Sequence, residues 1–290
     1  MVSTTLLLYY GLRPVPDPHA VALWQRELAA RCRVWGSVVV APHGMAADLG
    51  GPPDRLETYA RATREHPAFA DLDLRLVHGQ GEPRPRLSVT VRDELVGFGA
   101  PHELRVERGG LVGAGERLGP HGLHELVATR GDEVVLLDGR HRHEAEVGRF
   151  AGARRPDADS ARDVLARLDA GAYDGLRDRP VVTYCTSGIR AELLSALMRN
   201  RGFREVYRLD GGILAYGRTF ADDGLWEGAL YVLQERVRVT FSDHPAVLGS
   251  CETCGAPTYA HRDCVAPLCR GWALLCNACA DFALCAAHRN

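Results

Sequence analysis

The chain has 290 residues, a formal net charge of −2, and 46% hydrophobic and 25% charged residues. This is the balance of a globular protein with room for more than one domain, and nothing in the whole-chain charge marks a nucleic-acid binder, although a local basic patch stays open. The apolar start, Leu6 to Tyr10, is too short to span a membrane and lacks the basic flank and cleavage site of a signal peptide, so a cytoplasmic location is expected. Seven of the nine cysteines lie between Cys251 and Cys285. In a reducing compartment that crowding points to metal rather than to disulfides.

Residues 4–11 read as a buried strand, and Pro14, Pro16 and Pro18 break the chain after it. Asp17 is placed to cap a helix over 19–31, with Val21, Trp24, Leu28 and Ala29 on one face. Residues 36–41 carry Val38, Val39 and Val40 as a second strand. Gly44 and the run 50–53 punctuate turns, with room for a short strand between them. Residues 54–65 read as a helix that turns Leu56, Tyr59 and Ala60 inward. Residues 71–77 and 86–92 alternate apolar and polar in the manner of strands. The order is β-α-β-β-α-β, a ferredoxin-like (acylphosphatase-like) unit over 1–97, and that fold alone does not fix a function.

Residues 98–122 are glycine-rich and read as a linker. A second domain follows over 123–222, where strands alternate with helices. Residues 133–138 are a continuous apolar strand of the kind buried on both faces of a parallel sheet. Residues 141–150 have helical potential, and Ser160 is placed to cap a helix reaching 170. Residues 180–184 form a strand that runs into Cys185, Thr186, Ser187, Gly188, Ile189 and Arg190, and a helix over 191–201 comes next. Residues 205–209 are another strand, and Gly211-Gly212 opens a further helical turn. The pattern predicts an α/β layer on a central parallel sheet, with its active site at the carboxyl ends of the strands. Cys185 lies at one such end. A strand-to-helix turn aims successive backbone N–H groups at the cysteine and adds the partial positive charge of a helix N-terminus, both of which favour a thiolate. Arg190 closes the loop, ready to pair with a carboxylate or an anionic ligand. Arg190, Arg199, Arg201, Arg204 and Arg208, which Arg154 and Arg155 could join, are candidates for a phosphate-binding rim, and Arg140, Arg199, Arg201 and Arg204 are taken as candidate substrate-binding residues. Tyr9, Tyr10, Trp24 and Trp35 read as core or domain-interface residues, and His43 as a surface histidine. No nucleotide-cradling glycine motif appears, and no two-histidine-one-carboxylate spacing stands out.

The residues 137–140 (Leu-Asp-Gly-Arg), Glu144, 148–150 (Gly-Arg-Phe), the loop 185–190 and the run 209–213 (Leu-Asp-Gly-Gly-Ile) resemble the rhodanese signature. Together with the ferredoxin-like front, the strand at Pro85-Arg86-Leu87, the stretches 225–228 and 235–237, and the cysteine-rich tail, they resemble the bacterial tRNA uridine hydroxylase family, TrhO. The resemblance covers 6–285. It implies a rhodanese-like second domain, a tRNA anticodon partner, molecular oxygen as co-substrate, 5-hydroxyuridine at the wobble position as product, and Cys185 as the catalytic residue with Thr186 to Arg190 as its loop. Ser187 stands where the family loop usually has glycine, and residues 43–51 (His-Gly-Met-Ala-Ala-Asp-Leu-Gly-Gly) stand where it usually reads Glu-Gly-Ile-Asn-Gly-Thr-Leu-Ser-Gly. A sulfurtransferase that carries a persulfide on the same cysteine is a second reading, and a non-enzymatic adaptor a third.

A connecting segment over 223–249 leads to the tail, 250–290. There Cys251 and Cys254, and Cys276 and Cys279, form two pairs with the two-residue gap of zinc knuckles, and Cys264, Cys269, Cys285 and His288 add four more ligand types. A cross-braced order would put Cys251, Cys254, Cys276 and Cys279 on one ion and Cys264, Cys269, Cys285 and His288 on a second, with His261 competing. The segment is poor in apolar residues, so structural zinc would supply much of its folding energy.

Overall fold

The structure, a computed structural model, describes residues 3–81, 86–155, 157–232, 237–269 and 271–288. Pro85, Glu235 and Arg236, used in the resemblance, lie outside the described residues. The chain opens with β1 (Ser3–Leu12), α1 (Pro18–Cys32), β2 (Trp35–Ala41), β3 (Gly44–Gly50), α2 (Pro53–Glu65), β4 (Arg75–Gly81) and β5 (Leu87–Val91). Asp17 caps α1 as the sequence implies, its carboxylate accepting the Ala20 N–H at 2.9 Å. The strand expected over 71–77 starts only at Arg75. Leu72 still points inward and fills the space beside Gly11, where an added side chain would lie 2.3 Å from its Cδ2. The alternation at 71–74 therefore reports burial without strand pairing.

The centre of the front sheet is β4-β1-β3-β2, antiparallel throughout, with β5 parallel to β2. Successive side chains alternate between its faces. Leu7, Tyr9, Met45, Ala47 and Leu49 pack under α1 and α2. Leu6, Leu8, Tyr10 and Ala46 face the second domain.

The second domain holds a small hairpin, β6 (Val106–Glu107) with β7 (Gly110–Leu111), then β8 (Glu116–Leu118), α3 (Pro120–Arg130), β9 (Val135–Asp138), α4 (Arg142–Val147), β10 (Gly148–Phe150), α5 (Ala161–Asp169), β11 (Pro180–Tyr184), α6 (Ile189–Asn200), β12 (Glu205–Leu209) and α7 (Gly212–Phe220). Its sheet, β8-β12-β11-β9, is parallel in every pair. Residues 116–118, expected in the linker, supply its edge strand. The fold class read from the sequence, α/β beside α+β, is the one observed.

Beyond α7, β13 (Trp226–Gly228) pairs with β10. A hairpin of β14 (Leu230–Val232) and β15 (Val237–Val239) then returns to the front sheet, where β15 adds antiparallel to β4. The connecting segment thus extends the first domain's sheet. Apolar cores run across the junction: Leu12 and Ala41 share one with Leu193, Leu194 and Leu197, and Leu6 and Leu8 share another with Leu209, Ile213 and Leu214. The tail contributes a short hairpin, β16 (His261–Asp263) with β17 (Trp272–Leu274). No helix among the described residues is long and apolar enough to cross a membrane.

Candidate active site

Cys185 follows β11, and its Sγ accepts the Gly188 N–H at 3.2 Å. The Cys185 and Thr186 carbonyls are themselves held, by the N–H groups of Ile213 (2.9 Å) and Leu214 (3.1 Å) at the start of α7. The loop is therefore clamped between the N-termini of α6 and α7. The approach at Gly212 is so close that a Cβ there would lie 2.4 Å from the Cys185 carbonyl oxygen, and Gly212 adopts φ +61°. Glycine meets both demands.

Arg190 turns back across the loop. Its Nη1 and Nη2 donate to the two oxygens of Glu144 at 2.6 and 2.8 Å, and Nη2 also reaches Thr186 Oγ1 at 3.3 Å. Glu144 is 6% exposed. Burial alone would raise its pKa, but the Arg190 and Arg140 guanidiniums overcome this and hold it well below the usual carboxylate range. Behind it Arg140 is 0% exposed and bonded to both oxygens of Asp138 and to the Glu144 and Gly148 carbonyls. Asp138 also accepts the Tyr184 hydroxyl at 2.9 Å. Arg140, expected among substrate-binding residues, is corrected to a wholly internal brace.

The front sheet covers the loop. Tyr10 donates its hydroxyl to Glu192 of α6 at 2.8 Å, and a Cβ on Gly188 would lie 3.0 Å from that hydroxyl oxygen. Arg208 Nη1 shares the same Glu192 oxygen at 3.2 Å. Cys185 is 1% exposed, so a molecule from solvent reaches it only when sheet and loop separate. Asp48, on the Tyr10–Ala46 face of β3, is close enough to Arg190 and Glu144 to feel both charges; desolvation by its surroundings raises its carboxyl above the ordinary value, against the pull of Arg190, and its exposure to water moderates the rise. It lines the crevice between the domains. Tyr10, expected in the core or at a domain interface, lies at that interface, whereas Glu192 and Asp48 escaped sequence reasoning.

Residues 4–95 match the family described as "UPF0176 acylphosphatase like domain", residues 122–219 "Rhodanese-like domain" and residues 227–288 "Rhodanase C-terminal". A protein of Pseudarthrobacter chlorophenolicus named "tRNA uridine(34) hydroxylase" is 49% identical over 283 residues, covering 97% of this chain and 95% of that protein. The chain belongs to the tRNA uridine(34) hydroxylase family. Relatives of the same name from Rhodococcus erythropolis and Corynebacterium glutamicum are 47% and 46% identical, each over 96% of this chain and over 98% and 90% of their own.

In this hydroxylase-family chain, of the arginines after the loop only Arg208 comes near it, through Glu192. Arg199, Arg201 and Arg204 lie toward or beyond the far end of α6, where Arg199 is about 15 Å along the axis from Ile189. Arg199 bonds the Ala114 carbonyl, Arg201 pairs with Glu103 and Asp169, and Arg204 pairs with Asp178. The rim expected at Arg199, Arg201 and Arg204 is thus displaced from the cysteine loop, and these side chains brace the surface there.

In the tail, Cys251, Cys254, Cys276 and Cys279 gather as one set, and Cys264, Cys269, Cys285 and His288 as another, each with its ligand atoms within 4.8 Å of one another. His261 belongs to neither. The Cys254–Cys276 and Cys269–Cys285 sulfurs are 3.6 and 3.7 Å apart, and Cys264 Sγ is 3.7 Å from His288 Nδ1. Tetrahedral zinc–sulfur bonds of about 2.3 Å place sulfurs about 3.8 Å apart. The geometry therefore fits metal binding at both sets. The backbone N–H of Cys276 draws the Cys251 thiol down to about 6, while bonding to Cys254 and Cys276 pushes Cys279 up to about 12. Four thiols this close cannot all ionise without a cation among them.

Proposed function

We propose that the protein hydroxylates C5 of the wobble uridine of tRNA in the cytoplasm, with molecular oxygen as co-substrate and Cys185 as the catalytic thiolate. The observation that carries this reading is the near end-to-end match to relatives named for that activity, joined to a loop whose cysteine already receives a backbone N–H. In this mechanism the Cys185 sulfur adds to C6 of the uracil and raises electron density at C5, the carbon that takes oxygen. The loop N–H groups from Thr186 to Gly188 and the Arg190 guanidinium stabilise the negative charge that develops. One oxygen atom ends on C5, and the other leaves as water at the expense of two electrons from an external reductant such as a pair of thiols; loss of the C5 proton then expels the Cys185 sulfur from C6 and restores the uracil ring. Zinc at the two tail sets is structural, because protein fills all four ligand positions at each.

The test is nucleoside analysis of tRNA incubated with reductant and air. Wild-type protein is expected to yield 5-hydroxyuridine and Cys185→Ala none. Product formed equally by both, or by neither, refutes the reading. Sulfur found on Cys185 after thiosulfate treatment, with no hydroxylated product, would favour sulfur transfer instead. Metal analysis is expected to give two zinc ions per chain on the tail sets.

A further inference from the structure

We propose that His141, His143 and Glu144, with His261 beside them, form a third metal site for a divalent first-row transition ion, separate from the two thiolate sets. This site stands independently of the tRNA reading. The sequence does not announce it, because the three residues flank or open a six-residue helix and the fourth is over a hundred positions away. The fold brings them together. His141, His143 and Glu144 present ligand atoms within 4.8 Å of one another. His141 Nδ1 is 3.7 Å from Glu144 Oε2, and the two imidazole centroids are 5.5 Å apart. Bound nitrogen and oxygen donors stand about 3 Å apart around such an ion, so closure needs up to about 2 Å of side-chain movement. Both imidazoles are only half-buried, and turning His141 onto the ion gives up the bond its ring accepts from the Glu144 backbone N–H.

The donor set selects the class of ion. Two imidazoles and one carboxylate suit iron, cobalt, manganese or zinc, whereas calcium and magnesium want oxygen alone. Glu144 keeps capacity for a ligand bond. Its Oε2 receives the Arg190 Nη1 and the His141 N–H (3.0 Å), but its Oε1 receives only Arg190 Nη2 among the described residues. One Oε1 lone pair stays open. Arg190 then does for this carboxylate what outer partners do at metal centres generally, fixing its orientation.

A second observation points to the same place. His261, on β16 of the tail, has both ring nitrogens buried without a hydrogen-bond partner among the described residues. A buried imidazole left so costs about 1–3 kcal/mol per unsatisfied group. Its ring lies 6.4 Å from that of His143 and packs between Trp272 (4.3 Å) and Tyr231 (4.5 Å). A small shift of the tail hairpin brings it in as a fourth ligand. The ion would join α4 to the tail, one ion pair away from the loop that carries Cys185.

The test uses the full chain with zinc already on its thiolates, titrated with Co²⁺ without oxygen. One further Co²⁺ per chain is expected, with the weak visible bands of a nitrogen-oxygen site and no sulfur charge-transfer band. His143→Gln and His261→Gln, at unchanged zinc content and circular dichroism, are expected to weaken that equivalent about tenfold or more. On the wild-type protein, bound Co²⁺ is expected to protect His141 and His143 from diethyl pyrocarbonate. No further equivalent at millimolar Co²⁺, a sulfur band accompanying it, or unchanged histidine modification overturns the proposal.

Discussion

The contact between Gly212 and the cysteine loop can be probed with one methyl group. In Gly212→Ala the new Cβ meets the Cys185 carbonyl oxygen at 2.4 Å and the Thr186 carbonyl oxygen at 2.6 Å, and both belong to backbone that cannot rotate away. Two costs add. Holding a non-glycine residue in the left-handed region costs about 1–2 kcal/mol. Overpacking against fixed backbone costs about 1–3 kcal/mol. The sum, about 2–5 kcal/mol, is large beside the margin of a typical domain. Gly113→Ala isolates the first part, since Gly113 also has positive φ (+77°) but nothing within 4 Å of its added Cβ. Urea unfolding of both variants should show Gly113→Ala costing about 1–2 kcal/mol and Gly212→Ala clearly more. Only Gly212→Ala should also lose tRNA hydroxylation, because the carbonyls it displaces belong to Cys185 itself and to the next residue of its loop. Equal costs for the two variants, with activity kept in both, would refute the reasoning.

Asp138→Ala strands the Arg140 charge in the interior, and loss of one partner from a buried pair costs about 3–5 kcal/mol, to be read as a lowered unfolding midpoint. Tyr10→Phe removes a hydrogen bond to a charged group, worth about 1.5–3 kcal/mol, so iodoacetamide should alkylate Cys185 about tenfold faster or more; an unchanged rate would mean that sheet and loop part elsewhere. The Asp48 carboxyl is raised above its ordinary value, a shift that its exposure to water moderates. The folded state holds this proton more tightly than the unfolded chain, so stability falls as pH rises from the ordinary value through the raised one. Asp48→Asn should raise the thermal midpoint at pH 7.5 and leave it unaltered at pH 4, and a midpoint unmoved at pH 7.5 would count against the crevice assignment.

Periodicity made much of this molecule legible. The alternation in β1 and the 3.6-residue pattern of α1 named the front unit, and the apolar run at β9 and β11 named the parallel sheet. The cysteine spacing sorted the tail into two sets because thiolate knuckles are local. What escaped was long-range. Arg140 looked like any arginine at a strand end until Asp138, Glu144 and Gly148 enclosed it. Asp48 carried no signal of its crevice, since its neighbours there come from a domain nearly a hundred residues away. The strands β8, β14 and β15 are three residues each, too short for a period to emerge.

The return of β15 to β4 bears on how the chain is made. A ribosome releases β4 about 150 residues before the hairpin that covers its outer edge. Until then the nascent front unit carries an open strand edge, the usual template for misassembly. Completion of the first domain therefore waits for the second to be synthesised. A fragment ending near residue 97 is expected to be prone to aggregation, and a single folding transition should join the two units.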